Sequence, residues 1–79
     1  MSKQHIEECV RENLQRYFRD LDGETPGGMY DMLVRVVEKP LLEVVMSHAE
    51  NNQSRAAEWL GLNRNTLRKK LVEHKLLRS

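Results

Sequence analysis

Cysteine is almost missing from the chain: Cys9 is the only one in 79 residues. No disulfide can brace the fold internally, and a lone thiol suits a reducing compartment. Aromatic residues are few, with one Trp, one Phe and two Tyr, so there is no row of ring faces on which single-stranded bases could stack. Long apolar runs are also lacking. Glu43 interrupts the greasiest segment, and the polar opening residues do not form a signal peptide. A cytoplasmic protein with no membrane partner is expected. Metal and catalytic patterns are equally thin. His5 and Cys9 are four apart and could offer two ligands, but a closed zinc site needs four, and no other His or Cys lies near them in sequence. No Ser–His–acid arrangement is suggested, and the carboxylates alternate with cations as solvated helix faces do. A helical chain this short has little room for a substrate-sized pocket. The expectation is a non-enzyme with no metal, no cofactor and no small-molecule substrate.

Charge and helical periodicity are what the chain does contain. Its net charge of +1 conceals a division. Residues 1–49 hold six cations against nine acids, while residues 50–79 hold seven cations against three acids. A basic end on an acidic body points to a polyanionic partner met at that end. A single domain of this size buries only roughly 60–65% of its unfolded surface, so association with a second copy is the expected extra source of stability.

Four helices are predicted. The first runs from about Gln4 to Leu21, with Ile6, Cys9, Val10, Leu14, Tyr17, Phe18 and Leu21 at helical spacing. Asp22–Gly28, with three glycines and a proline, is a loop. The second helix runs from about Met29 to Ala49. Tyr30, Leu33, Val37, Leu41, Val44 and Val45 form its stripe, and Met29, Met32, Val36, Pro40 and Met46 widen it. That arc is broader than one neighbour requires, so the helix is either central to the monomer or also packed on a second copy. Pro40 removes one backbone bond and is expected to kink a single continuous helix rather than split it, because the stripe keeps its phase across the proline.

The last third reads as a helix-turn-helix. Asn52 is placed to cap a short helix with Ala56, Ala57 and Leu60 on its inner side. Gly61 stands where the chain must leave that helix through a left-handed residue. Asn63 caps the final helix, Leu62 and Leu67 occupy staple positions, and Leu67 and Leu71 continue the buried side. Ala57 is small where the two helices cross. Trp59 is expected to be buried against the long second helix. Arg64, Asn65, Arg68 and Lys69, flanked by Lys70, make a polar and basic outer face. In a helix-turn-helix the early residues of the second helix meet base edges in the major groove, and an arginine fork matches guanine.

Five stretches of the chain resemble one family. Asn52-Gln53-Ser54-Arg55-Ala56-Ala57 and Leu60-Gly61-Leu62-Asn63-Arg64-Asn65-Thr66-Leu67-Arg68-Lys69-Lys70-Leu71 are similar to the DNA-binding end of Fis, the bacterial nucleoid-associated factor for inversion stimulation. Tyr17-Phe18, Leu21-Asp22-Gly23 and Glu38-Lys39-Pro40-Leu41-Leu42-Glu43-Val44-Val45-Met46 are similar to that family's core helices. The resemblance implies an all-α fold of four helices per chain in an intertwined homodimer. A dimerisation part over residues 4–50 and a helix-turn-helix over 51–79 make up one domain, 1–79. The dimer interface is expected at Val10, Leu14, Leu33, Val37, Leu41 and Val44.

The implied partner is double-stranded DNA, bent to meet two recognition helices set closer than one helical repeat, with selectivity for groove shape. Arg64 would contact a guanine edge. Asn63 and Thr66 would fix the helix against bases or backbone, with Asn65 beside them on the binding face. Asn52, Ser54, Arg55, Arg68, Lys69 and Lys70 would hold phosphates. The expected function is transcriptional regulation and organisation of the bacterial nucleoid, with RNA polymerase a further candidate partner.

The chain departs from the family at several points. Glu50, Val72 and Glu73 stand where some members are basic, which lowers the expected salt dependence. Lys75 stands where glycine is frequent. Helix one begins so near Met1 that no recombination-stimulating arm is expected. The rival readings are the terminal DNA-binding domain of an enhancer-binding activator and a helical adaptor that binds only protein. Met1 and a full dimer core favour a free-standing protein over the first.

Overall fold

A computed structural model describes residues 2–78. Four helices follow in order: α1 (Lys3–Leu21), α2 (Met29–His48), α3 (Gln53–Leu60) and α4 (Arg64–Glu73). No strand occurs among the described residues. The all-α, four-helix expectation is met, with boundaries differing by one residue at the start of α1 and the end of α2.

Each end has a local cause. The Ser2 side chain accepts the His5 amide at 3.2 Å and opens α1. Asp22 closes it in the left-handed region at φ 50°. Gly28, at φ 62°, leads into α2. Pro40 lies inside α2, which runs through it as one helix. Beyond α2 the chain turns on two left-handed non-glycine residues, Glu50 (φ 55°) and Asn51 (φ 62°).

The core occupies only the second half of the molecule. Leu42, Ala49, Ala56, Ala57, Leu67 and Leu71 are buried, with Val45, Met46, Leu60, Leu76 and Leu77 packed around them. On α2 the inner register is 38, 42, 45, 49, alternating steps of four and three. The rest of its apolar arc faces outward: Tyr30, Val34, Val36, Val37, Leu41 and Val44 are exposed. α1 contributes no buried residue at all. Ile6 and Phe18 on its apolar side are half exposed, and the Phe18 ring meets its neighbour Tyr17 edge to face.

A chain left this way is larger than its mass warrants. Its radius of gyration is 15.1 Å, against about 12 Å for a compact chain of this length. Its accessible surface is 6665 Å² at 9.3 kDa, where a self-contained monomer of that mass exposes about 5,000 Å².

Candidate nucleic-acid interface

The helix-turn-helix is built from three local devices. Asn52 accepts the Arg55 amide at 3.0 Å and starts α3. Gly61 ends it at φ 72°, and the Leu62 amide donates back to the Ala57 carbonyl at 2.9 Å, the six-to-one bond of a Schellman turn. Asn63 then accepts the Asn65 and Thr66 amides at 2.7 and 3.4 Å and starts α4. Neither α3 nor α4 has an acid in its first turn. No first-turn carboxylate therefore offsets the partial positive charge of either N-terminus.

Packing decides which way α4 faces. Leu67 and Leu71 are fully buried against Ala56, Ala57 and Leu42 in one cluster. Ala57, only 4% exposed, leaves space for that crossing. Arg64, Asn65, Arg68 and Lys69 are all exposed, as are Asn63, Thr66, Asn52, Ser54 and Arg55. An open groove along the outer side of α4 is lined by Asn65, Arg68, Lys69, Val72 and Glu73.

Lys70 stands apart from the nine other expected contact residues. At 100° per residue, Lys70 and His74 fall on the same side of α4 as Leu67 and Leu71, the side turned to α2. The Lys70 ammonium donates to Glu38 Oε2 at 2.9 Å, and His74 Nε2 lies 2.9 Å from Glu38 Oε1. An ionised carboxylate can only accept, so the imidazole carries its proton on Nε2. The Glu38 side chain is 18% exposed, His74 6% and Lys70 32%. Bonds from Lys70 and then His74 hold the Glu38 carboxyl below its ordinary range, against the opposing effect of desolvation. The same bond to Glu38 holds the Lys70 ammonium above its own. Lys70–Glu38 is the only pairing of a Lys or Arg with an acid among the described residues, and the His74 contact joins it as a hydrogen bond. The periodicity of α2 carried a sign of this cluster: position 38 has the inward register of Leu42 and Ala49.

One further placement differs from expectation. Trp59 is 56% exposed rather than buried. The inward side of α3 is taken by Ala56, Ala57 and Leu60, and Trp59 lies about 100° around the helix from their midpoint. After α4, Lys75 adopts φ 59°, and the Leu76 amide donates to the Leu71 carbonyl at 2.8 Å. The turn is the one that glycine favours, formed here by a lysine. Cys9 is exposed, with the Asn13 side-chain Nδ2 donating to its carbonyl oxygen at 2.7 Å and lying 3.5 Å from its sulfur. Among the described residues, no three His, Cys, Asp or Glu side chains gather as a metal site would require, and no helix is long and apolar enough to cross a membrane.

The expected interface positions are exposed or only partly covered in the single chain. Val37, Leu41 and Val44 are exposed, and Val10, Leu14 and Leu33 are half-buried.

Residues 33–74 match the model of a family described as bacterial regulatory protein, Fis family. The chain is 60% identical over 77 residues to a Fis-like DNA-binding protein of Ralstonia nicotianae, covering 98% of this chain and all of that one. It is 58% identical over 72 residues to a Fis-like DNA-binding protein of Neisseria meningitidis serogroup B, covering 91% of each. It is also 44% identical over 69 residues to the DNA-binding protein Fis of Glaesserella parasuis, covering 87% of this chain and 70% of that protein.

Proposed function

The chain belongs to the Fis family of bacterial regulatory proteins, and from that premise we propose that it is a homodimeric regulator that binds and bends double-stranded DNA. The observation that carries the reading is the outward row of Arg64, Asn65, Arg68 and Lys69, launched from a left-handed Gly61 and backed by buried Leu67 and Leu71. Arg64 meets a guanine edge in the major groove, with Asn63, Asn65 and Thr66 against neighbouring bases or backbone. Arg68 and Lys69 hold phosphates on one side of the groove. Asn52, Ser54 and Arg55 hold them at the start of α3, where the helix dipole adds to the attraction.

The dimer reading is supported by area. The surface in excess of a compact monomer is about 1,700 Å² per chain, within the range of an obligate interface. The apolar faces of α1 and α2, including Val10, Leu14, Leu33, Val37, Leu41 and Val44, are its site, so residues 4–50 pair the chains and 51–79 read the duplex. Two α4 helices related by a two-fold axis and closer than about 34 Å can both enter the groove only if the duplex bends. Such a protein works on chromosomal DNA in the bacterial cytoplasm, organising the nucleoid and regulating transcription, with RNA polymerase as the neighbour it influences.

Gel shifts with Arg64→Ala and Lys69→Ala on matched and scrambled duplexes test this. Arg64→Ala should weaken the matched site by about 1–3 kcal/mol and flatten preference at one base pair, whereas Lys69→Ala should weaken both duplexes alike. Equal loss of selectivity in the two variants would refute the docking. Absence of duplex binding even in low salt would leave the protein-only adaptor. Duplexes labelled at both ends report the bend.

A further inference from the structure

Lys70 is a cation of the recognition helix that already has a partner in the free protein. Glu38, on α2, reaches α4 twice: Oε2 to Lys70 and Oε1 to His74, each at 2.9 Å. Lys70 and His74 are one helical turn apart, so a single carboxylate spans a full turn of α4. The remaining hold on the inner side of α4 is Leu67 and Leu71, both essentially fully buried. Apolar burial is non-directional and tolerates rotation, whereas a pair of charge-assisted hydrogen bonds does not. A roll of about 20° would move side-chain tips at a radius of ~5–6 Å by about 2 Å. That displacement exceeds what a base-edge hydrogen bond tolerates.

We propose that Glu38 is a positioning residue for DNA recognition: it fixes the roll of α4 against α2 and withholds Lys70 from the phosphates. Selectivity then depends on a side chain outside the helix-turn-helix that touches no DNA. The salt dependence of binding is lower than the count of basic residues on α4 suggests. Lys70, next to Lys69 in the chain and on a long flexible stem, reaches a phosphate once Glu38 lets it go. The assignment rests on the DNA-binding reading above.

Full-length dimers carrying Glu38→Ala, Glu38→Gln and Glu43→Gln separate the two effects. Glu43 is exposed and unpaired among the described residues, so its variant removes the same charge from α2 without freeing a lysine. The measured quantities are the ratio of affinities for matched and scrambled duplexes and the slope of log affinity against log salt. Glu38→Ala should lower the ratio about tenfold through misplaced base contacts. It should also steepen the slope by about 0.9 per subunit as Lys70 gains a phosphate.

Glutamine still donates to an Nε2 without its proton and so keeps the His74 prong, but as a neutral acceptor it no longer neutralises the ammonium and gives Lys70 up to a phosphate. Glu38→Gln should therefore steepen the slope and leave the ratio nearly intact. General loosening of the fold would weaken binding without adding a counterion. Should Glu38→Ala fail to fold, Glu38→Gln decides alone, and an unchanged slope in it overturns the proposal. Glu38→Ala indistinguishable from Glu43→Gln on both measures overturns it as well, with the DNA-binding reading left standing. Wild-type protein that binds no duplex would bring down both.

Discussion

Placing a carboxylate at Val37 is the sharpest probe of the pairing surface. Val37 is 44% exposed in the single chain and lies between exposed Val34 and Leu41 on the outer face of α2, where Leu33, Val34, Val37, Glu38 and Leu41 line a mostly apolar depression. If this face is covered by a second copy, Val37→Asp loses about 1 kcal/mol, the part of a valine's transfer out of water that pairing rather than folding supplies. It also buries an ion whose effective penalty is several kcal/mol. A two-fold axis applies both costs twice, so the dimer should weaken by at least about 6 kcal/mol, or about 10⁴-fold in dissociation constant. Sedimentation equilibrium at micromolar protein should then give the 9.3 kDa protomer in place of twice that mass. Val37→Leu, apolar and slightly larger, should stay paired. A Val37→Asp protein that keeps the full dimer mass would show that the outer face of α2 is not the interface, and the excess surface would need another explanation.

Three smaller perturbations test local parts of the same picture. Lys75→Gly relieves a left-handed lysine at φ 59° and should stabilise the protein by about 1 kcal/mol in urea unfolding; no gain would mean that the C-terminal turn is not held in that conformation. Ala57→Leu puts a bulky side chain where 4% of the residue is exposed and should cost about 1–3 kcal/mol of stability and weaken duplex binding, both measured on the same preparation. Because the folded Glu38 carboxyl lies below its ordinary value of 4.5, its contribution is fully present above that value and is lost as pH falls through the lower folded value. Acid titration of unfolding should therefore show a loss of stability in that window that Glu38→Gln lacks. The Lys70 side has the opposite sign, present below 10.5 and lost above it.

The features that were legible in the sequence depend on a few neighbouring residues. An asparagine three residues before an amide, or a glycine after an apolar turn, has the same geometry wherever the helix lies. Asn52, Gly61 and Asn63 therefore did what their positions implied. Leu67 and Leu71 followed from spacing alone. Trp59, Lys70 and Lys75 were less legible because their settings are decided across the chain. Whether Trp59 is covered depends on which side of α3 meets α2. Whether Lys70 is free depends on an acid 32 residues away. Whether a turn accepts lysine depends on the closing bonds around it. The breadth of α2's apolar arc was visible, but its division was not: the inner register serves α3 and α4, and the outer one is left open.

That division implies that the two halves of the chain differ in stability. The buried cluster joins α2, α3 and α4 through Leu42, Ala49, Ala56, Ala57, Leu67 and Leu71 and owes nothing to α1, which has no buried residue. A solitary amphipathic helix of 19 residues is only marginally stable in water, because most helical stability in proteins comes from packing an apolar face. If a second copy covers that face of α1, separating the copies should therefore unfold α1 while the helix-turn-helix persists. Hydrogen exchange on the Val37→Asp protein checks this one amide at a time. Amides of α1 beyond its first turn should exchange at rates near those of an unstructured peptide. The Leu67 and Leu71 amides should stay protected, and helical circular dichroism should fall without vanishing. Uniform loss of protection along the chain would mean that the helix-turn-helix is not stable without its paired scaffold. Protection retained in α1 would mean that this helix is held by something other than a second copy.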